Sequence, residues 1–371
     1  SKVTFHCFHL GPLPASEFHA RLPTLGETLT ALNASAYIAE PGADALYYAN
    51  VTSSHWHLSE RPLLLIVDAS AWVTVLTPNF DGTCARLLLI LGGVGTYKQL
   101  PAIEGTVFVD GSIRHFIVDE LRTAFPKVTV IAAPTEIRQL RECKSKGELE
   151  LLKRANVATL LAIRQVHKHM HIGIRESEAR QLVARALADA GLKDNGCPTL
   201  FRENAALPHG SSTNRRLGPD DFALFDCTPS LHGYWSDVTR TLALPASTIP
   251  DTHLQIWNFV HLAQHIAFQT AHAGVVTKRF DEVPRLFLGL ARYAKYFTHC
   301  LGHGIGLEVH EVPYLNGHHP PAGHTFSDHP RVYIEGKVGV RLEDCFYIAQ
   351  NGGAVYLTAG VGDAAGLPWK T

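Results

Sequence analysis

The chain has 371 residues, 46% hydrophobic and 18% charged, enough for a full apolar core and for two or three domains of ordinary size. Lys plus Arg number 33 against 34 for Asp plus Glu, and a formal charge of −1 excludes the strong basic field of a dedicated binder of nucleic acid or anionic lipid. The longest purely apolar runs, such as Leu63 to Val67, fall far short of the roughly 18 residues that span a bilayer. Ser1-Lys2-Val3-Thr4 lacks both Met and the charged-then-apolar pattern of a signal segment, as in a trimmed chain, so the compartment stays open between cytoplasmic and secretory. The sequons Asn33-Ala34-Ser35 and Asn50-Val51-Thr52 carry little weight, since chance supplies about one.

From residue 36 to 130, short apolar runs alternate with helix-like stretches: Ala36 to Ile38, Leu63 to Val67, Trp72 to Leu76, Thr106 to Val109, Val128 to Ile131. That pattern reads as an α/β unit. Pro134 to Cys143 is linker-like, and from Lys146 a long amphipathic helix carries Leu149, Leu152, Ala155, Leu160 and Ile163 at helical spacing. Two domains are expected, residues 1–138 and 139–371. Within the second, helices are expected over Ser177 to Ala190, Leu254 to His272 and Asp281 to Tyr296, with strands and hairpins elsewhere. Seven cysteines without a C-x-x-C indicate neither a zinc ribbon nor a disulfide framework, and the odd count leaves at least one thiol unpaired.

Histidine is the compositional anomaly, with 22 residues and a cluster at His299, His303 and His310 that points to metal or proton chemistry. Ala223 to Asp226 and Tyr234 to Thr241 are strand-like; a hairpin centred between Leu231 and His232 sets Asp226 opposite Asp237. Two carboxylates that close repel unless a cation lies between them. A second hairpin, turning at Gly336, sets His329 opposite Glu343. Between the hairpins, the Gly-rich segment from His299 to His310 can bring an imidazole near without side-chain obstruction, completing a set of five N and O ligands. Each piece alone has a plainer reading: Asp237 as a surface residue, His303 as a packed imidazole, Glu343 as the partner of Arg341.

Taken together, Asn204 to Gly210, Ser236-Asp237-Val238-Thr239-Arg240-Thr241, His303-Gly304-Ile305-Gly306 and Gly339-Val340-Arg341-Leu342-Glu343-Asp344 resemble the pita-bread metallopeptidases: Xaa-Pro dipeptidases, aminopeptidases P, methionine aminopeptidases and creatinases. Tyr37 to Gly42 and Trp56 to Pro62 resemble the N-terminal domain of the prolidase and creatinase branch, in its fungal members. The resemblance implies an N-terminal creatinase-like α/β domain, a pseudo-symmetric α+β pita-bread catalytic domain and a homodimer. It implies one or two divalent ions (Mn, Fe, Co or Zn), with Asp226 on one ion, Asp237 and Glu343 bridging, and His303 on the second. It also makes His209 and His310 the histidines that steady the scissile group, with His299 behind the ligands.

The sequence departs from that pattern at the site. Where the family carries a Glu ligand and base in an Ile-Glu-Pro-Gly strand, this chain reads Asp328-His329-Pro330-Arg331, and strand alternation sends Asp328 to the opposite face. Thr228 and Pro229 replace Gly after the first ligand, and Arg202 replaces a small residue. Three carboxylates cannot balance two divalent ions, so the second ion is expected to bind less tightly; a metal-ligated imidazole is also a poor proton acceptor. His303, His329 and a carboxylate suit a single Fe(II), Mn(II) or Zn(II). Because an imidazole ligand must be neutral, affinity should decline as pH falls through about 6.5 and below. Arg202 and Arg331 supply donors for a carboxylate or phosphate, and with Arg341 they are the expected substrate-binding arginines, unless they point to solvent. Three readings follow: a hydrolase acting on a short peptide, a single-metal lyase or oxygenase acting on a small acidic molecule, and a metal-free homologue.

Overall fold

The computed structural model describes residues 10–52, 56, 59–88, 93–96, 103–207, 210, 213–315, 317, 323–361 and 366–370. His209, and His57 and Leu58 of the N-terminal motif, lie outside the described residues. The chain divides into two compact units, a smaller one of Pro12–Arg141 and a larger one that takes the residues before Pro12 together with Glu142 onward.

The smaller unit contains helices α1 (Ala15–Ala31), α2 (Ala43–Ala49), α3 (Gly82–Leu88), α4 (His115–Ala124) and α5 (Thr135–Gln139). Its strands are β1 (Ala36–Ala39), β2 (Leu64–Asp68), β3 (Val73–Thr77), β4 (Gly93–Thr96), β5 (Thr106–Val109) and β6 (Thr129–Ala132). They form one mixed sheet in the order β4-β3-β2-β1-β5-β6, antiparallel at β1–β2 and β2–β3 and parallel elsewhere. Ile38, Ile66, Leu76, Val107 and Val130 from the strands and Ile117 and Leu121 from α4 make its core. Each such side chain contributes roughly 1.5–3 kcal/mol on burial. The five apolar runs read from the sequence are five of these strands. Helix α1, whose buried face carries Leu22, Leu25 and Leu29, lies ahead of the stretch in which the sequence pattern predicts elements.

The larger unit opens with α6 (Lys146–His167), fixed by a capping box in which Ser145 Oγ accepts from the Glu148 amide and Glu148 accepts from the Ser145 amide. Next come α7 (Glu176–Asp189) and strands β7 (Thr199–Phe201), β8 (Ala223–Cys227), β9 (Ser230–Leu231), β10 (Tyr234–Trp235) and β11 (Val238–Leu242). Helices α8 (Asp251–Thr270) and α9 (Thr277–Leu290) precede β12 (Thr325–Asp328), β13 (Arg331–Ile334), β14 (Val338–Arg341), β15 (Asp344–Ile348) and β16 (Ala354–Tyr356). The expected helix to Tyr296 is cut short at Leu290. Arg292 takes a left-handed φ of 66°, and only a 3₁₀ turn at Ala294–Tyr296 follows. Trp257 and Val260 of α8, Phe280 and Leu288 of α9, and Phe326, Val340 and Phe346 of the strands form the core that backs the second hairpin.

One correction concerns cysteine. Cys197 and Cys227 are disulfide-bonded, with Cα atoms 4.0 Å apart. They meet because β7 and β8 pair antiparallel with Thr199 opposite Phe225, a long-range pairing that cysteine spacing does not encode. Among the described residues Cys84, Cys300 and Cys345 are free thiols. No helix among the described residues is long and apolar enough to cross a membrane.

Candidate metal centre

Two hairpins build the floor of the site. In the first, β8 and β11 set Asp226 opposite Thr239 and Cys227 opposite Val238, which corrects the expected pairing of Asp226 with Asp237. The turn lies between His232 and Gly233, whose φ values of 50° and 86° are those of a two-residue hairpin turn with both central residues left-handed. That moves the partner of Asp226 by two positions, an even step that keeps the same face. One ligand atom from each of Asp226, Asp237 and Glu343 therefore still falls within 4.8 Å of the others.

The second hairpin turns at Gly336 as expected, with Arg331 opposite Arg341. The register continues into β12 and β15, where Asp328 opposes Asp344. His329 and Glu343 sit in the gap between the two ladders, His329 Nε2 lying 3.9 Å from Glu343 Oε1. Reciprocal backbone bonds between Thr239 and Glu343, 3.2 and 3.0 Å, join the hairpins. Thr239, which sequence reasoning missed, also places its Oγ1 2.7 Å from Glu343 Oε2 and 3.1 Å from Asp226 Oδ1.

His303 enters from the Gly-rich loop, its carbonyl accepting from the Ser327 amide at 2.9 Å. Its Nδ1 lies 3.1 Å from the Gly304 carbonyl oxygen and its Nε2 3.6 Å from Asp237 Oδ2. Above this floor is a cavity of about 450 Å³ walled by Asp226, Asp237, His303, His329, Arg341 and Glu343, with Thr228, His299, Cys300, His310 and Tyr314 around it. The His310 ring lies 4.3 Å from that of His303, and His299 5.7 Å from that of His329.

The three arginines separate. Arg341 pairs with Asp226 and donates to Thr239 Oγ1 and the Tyr333 hydroxyl. Arg202 instead pairs with Asp220 at 3.1 Å, and Arg331 is fully buried behind His329. Arg331 donates to His329 Nδ1, to the His329 carbonyl at 2.8 Å and to the Cys300 carbonyl at 2.7 Å. Of the three arginines expected to bind substrate, only Arg341 lines the cavity, because nearby acceptors capture Arg202 and Arg331. Asp328 lies on the far face as expected, buried beside Asp344, with both carboxyl oxygens lacking a hydrogen-bond partner.

Burial dominates the electrostatics. It raises Asp237 well above the usual carboxylate range, and Glu343 and Asp226 add to the rise. Burial also raises Glu343 to about 7, against the opposing pull of Arg341. Burial and the neighbouring His310 push His303 down to about 3. Glu343 and Asp237 are thus both raised while the imidazole of His303 is lowered, so the groups displaced toward neutral pH are carboxylates, in contrast to the expected titration of imidazoles near 6.5. Two buried carboxylates, Asp237 and Glu343, and the half-buried Asp226 around one cavity, with Arg341 as their ion-paired arginine, are a donor set that fits a divalent transition ion.

A model of "Metallopeptidase family M24" matches residues 150–350. An uncharacterized peptidase of Schizosaccharomyces pombe is 33% identical over 88% of this chain and 78% of its own length. One of Staphylococcus epidermidis is 32% identical over 58% of this chain and 62% of its own. Among solved structures, the dipeptidase PepE from Mycobacterium ulcerans superposes with a TM-score of 0.84 at 25% identity, over 94% of this chain and 97% of that one. The prolidase from Pyrococcus horikoshii OT3 gives 0.81 at 22% identity, over 91% and 98%, a likeness of fold.

Proposed function

Because the chain belongs to metallopeptidase family M24, we propose that it is a metal-dependent hydrolase of the Xaa-Pro dipeptidase type, cleaving an amide bond in a short peptide or a small acidic substrate. The observation that carries this reading is the convergence of Asp226, Asp237, Glu343 and His303 on the floor of one cavity. The cavity's volume is that of a small-molecule site and suits a dipeptide better than a long chain. A divalent ion (Mn, Fe, Co or Zn) held by these residues supplies a polarised carbonyl and a water of lowered pKa. His310 and His299 stand at the cavity wall where they can donate to the scissile group, and His209 belongs to the same proposal by resemblance alone. Arg341 holds Asp226 in place and presents the nearest fixed positive charge to a substrate carboxylate.

The His at 329 removes a carboxylate that relatives of the prolidase pattern use as a proton acceptor, so hydrolysis of Xaa-Pro dipeptides is expected to be slow in the natural chain and faster in His329→Glu. Amine release from a panel of dipeptides, with Mn²⁺, Co²⁺, Zn²⁺ or Fe²⁺ supplied separately, tests this. Failure of every metal to support turnover in both proteins would sink the hydrolase reading. The proposal includes a homodimer, for which the exposed Trp72, Phe80 and Leu87 of the smaller unit offer apolar surface. A monomer by light scattering at micromolar concentration would remove it.

A further inference from the structure

The two imidazoles at the floor of the cavity are held in opposite tautomers. A backbone carbonyl can only accept, so the contact of His303 Nδ1 with the Gly304 oxygen puts a hydrogen on Nδ1 and leaves the Nε2 lone pair facing Asp237. A guanidinium can only donate, so the contact of Arg331 with His329 Nδ1 makes that nitrogen the acceptor. In a neutral ring the hydrogen of His329 is then on Nε2, the atom that faces Glu343. This Nε2 is buried and has no hydrogen-bond partner, while the His329 side chain as a whole is 7% exposed. It offers a hydrogen to the site, where a metal ligand must offer a lone pair.

The charges lead to the same result. Asp226, Asp237 and Glu343 bring three negative charges, and Arg341 offsets one of them. Arg331 is fully buried, and among the described residues no carboxylate lies in ion-pair range of it, so its charge also falls to this site. The buried pair Arg240 and Asp344, 2.7 Å apart, cancels itself. The balance is one negative charge, which one divalent ion turns into one positive charge. A second ion would leave three uncompensated positive charges in a buried site, an expensive arrangement.

We propose that the centre takes a single divalent ion on Asp226, Asp237, Glu343 and the Nε2 of His303, and that His329, backed by Arg331, is a fixed N–H donor in the place where a second ion would need a ligand. This rests on the hydrolase reading above and refines its metal content. His329 is thereby a positioning residue, set by Arg331 to donate to an oxygen lying between it and Glu343.

The test is stoichiometry. Metal-stripped protein titrated calorimetrically with Mn²⁺ or Co²⁺ alone, with elemental analysis after desalting, is expected to bind one equivalent. The double variant His329→Glu/Arg331→Gly, which restores a carboxylate and removes the cation, is expected to bind two. Wild type binding two equivalents with affinities within tenfold of each other would overturn the single-ion proposal and leave the hydrolase reading standing. Binding of none would overturn both. A second measurement needs no altered fold: ¹⁵N spectra of histidine-labelled wild type should give His329 an unprotonated Nδ1, assigned by its loss in His329→Gln. A protonated Nδ1 there would refute the proposal.

Discussion

Thr239 shows how much of this centre depends on one hydroxyl. It accepts from Arg341 Nε at 3.0 Å and lies within hydrogen-bond distance of carboxylates from both hairpins. Thr239→Val keeps the shape and removes the hydroxyl, and should weaken Mn²⁺ or Co²⁺ binding about 10–100-fold, the usual effect of losing a group that orients ligands. Competition against a chelator of known affinity measures it. Asp328 carries the opposite message, a carboxyl with no evident task. Burial, then Asp344 and Glu343, raise its pKa well above the ordinary value. Its folded-state value lies above its unfolded one, so its ionisation works against folding increasingly as pH rises above about 4. Asp328→Asn should therefore be more stable than wild type at pH 8, by about 1–3 kcal/mol on the scale of a buried unsatisfied group, with the gap closing toward pH 4. Urea unfolding at the two pH values decides; an equal gap at both would mean that the carboxyl's charge is not the cause.

At the scale of elements, the site depends on close backbone approach. A Cβ added at Gly302 would overlap the Ser327 carbonyl, and one at Gly339 would overlap that of Ala205. Gly302 lets the His303 loop lie against β12, and Gly339 lets β14 lie against the segment after β7. Gly302→Ala should cost about 1–3 kcal/mol or more through overpacking and displace His303, lowering both the thermal midpoint and metal affinity; a variant with native metal binding would show that the loop adapts. The hairpins mark how far local patterning reaches. For the second, Glu335-Gly336-Lys337 set the turn, and the expected register holds from Ile334 to Arg331 and onward through β12. For the first, the alternation gave the right face but not the right partner, because His232 and not Leu231 takes the left-handed turn position.

For the whole molecule, metal and pH are linked through the raised carboxylates. Without metal, Glu343 near 7 in the folded chain and about 4.3 unfolded means that the fold loses stability as pH climbs between those values. Asp237 adds in the same direction. A bound cation removes that loss by favouring the ionised forms, so the rise in melting temperature on adding Co²⁺ should be larger at pH 8 than at pH 6. Scanning calorimetry of stripped and loaded protein checks this, and an equal or reversed shift would place the competing proton elsewhere. The sequence by itself determined the α/β class, five of the six described strands of the smaller unit, the long helix from Lys146, and Asp226, Asp237, His303, His329 and Glu343 as candidates that the fold brings around one cavity, because alternation and helical spacing are local and the two hairpins are short-range in the chain. The tertiary structure alone decided the fates of the arginines, the Cys197–Cys227 bond, the part played by Thr239, the tautomer of His329 and which group titrates. Each of these depends on what stands opposite a side chain from a distant segment, and on how far water is kept away, and neither is encoded in spacing along the chain.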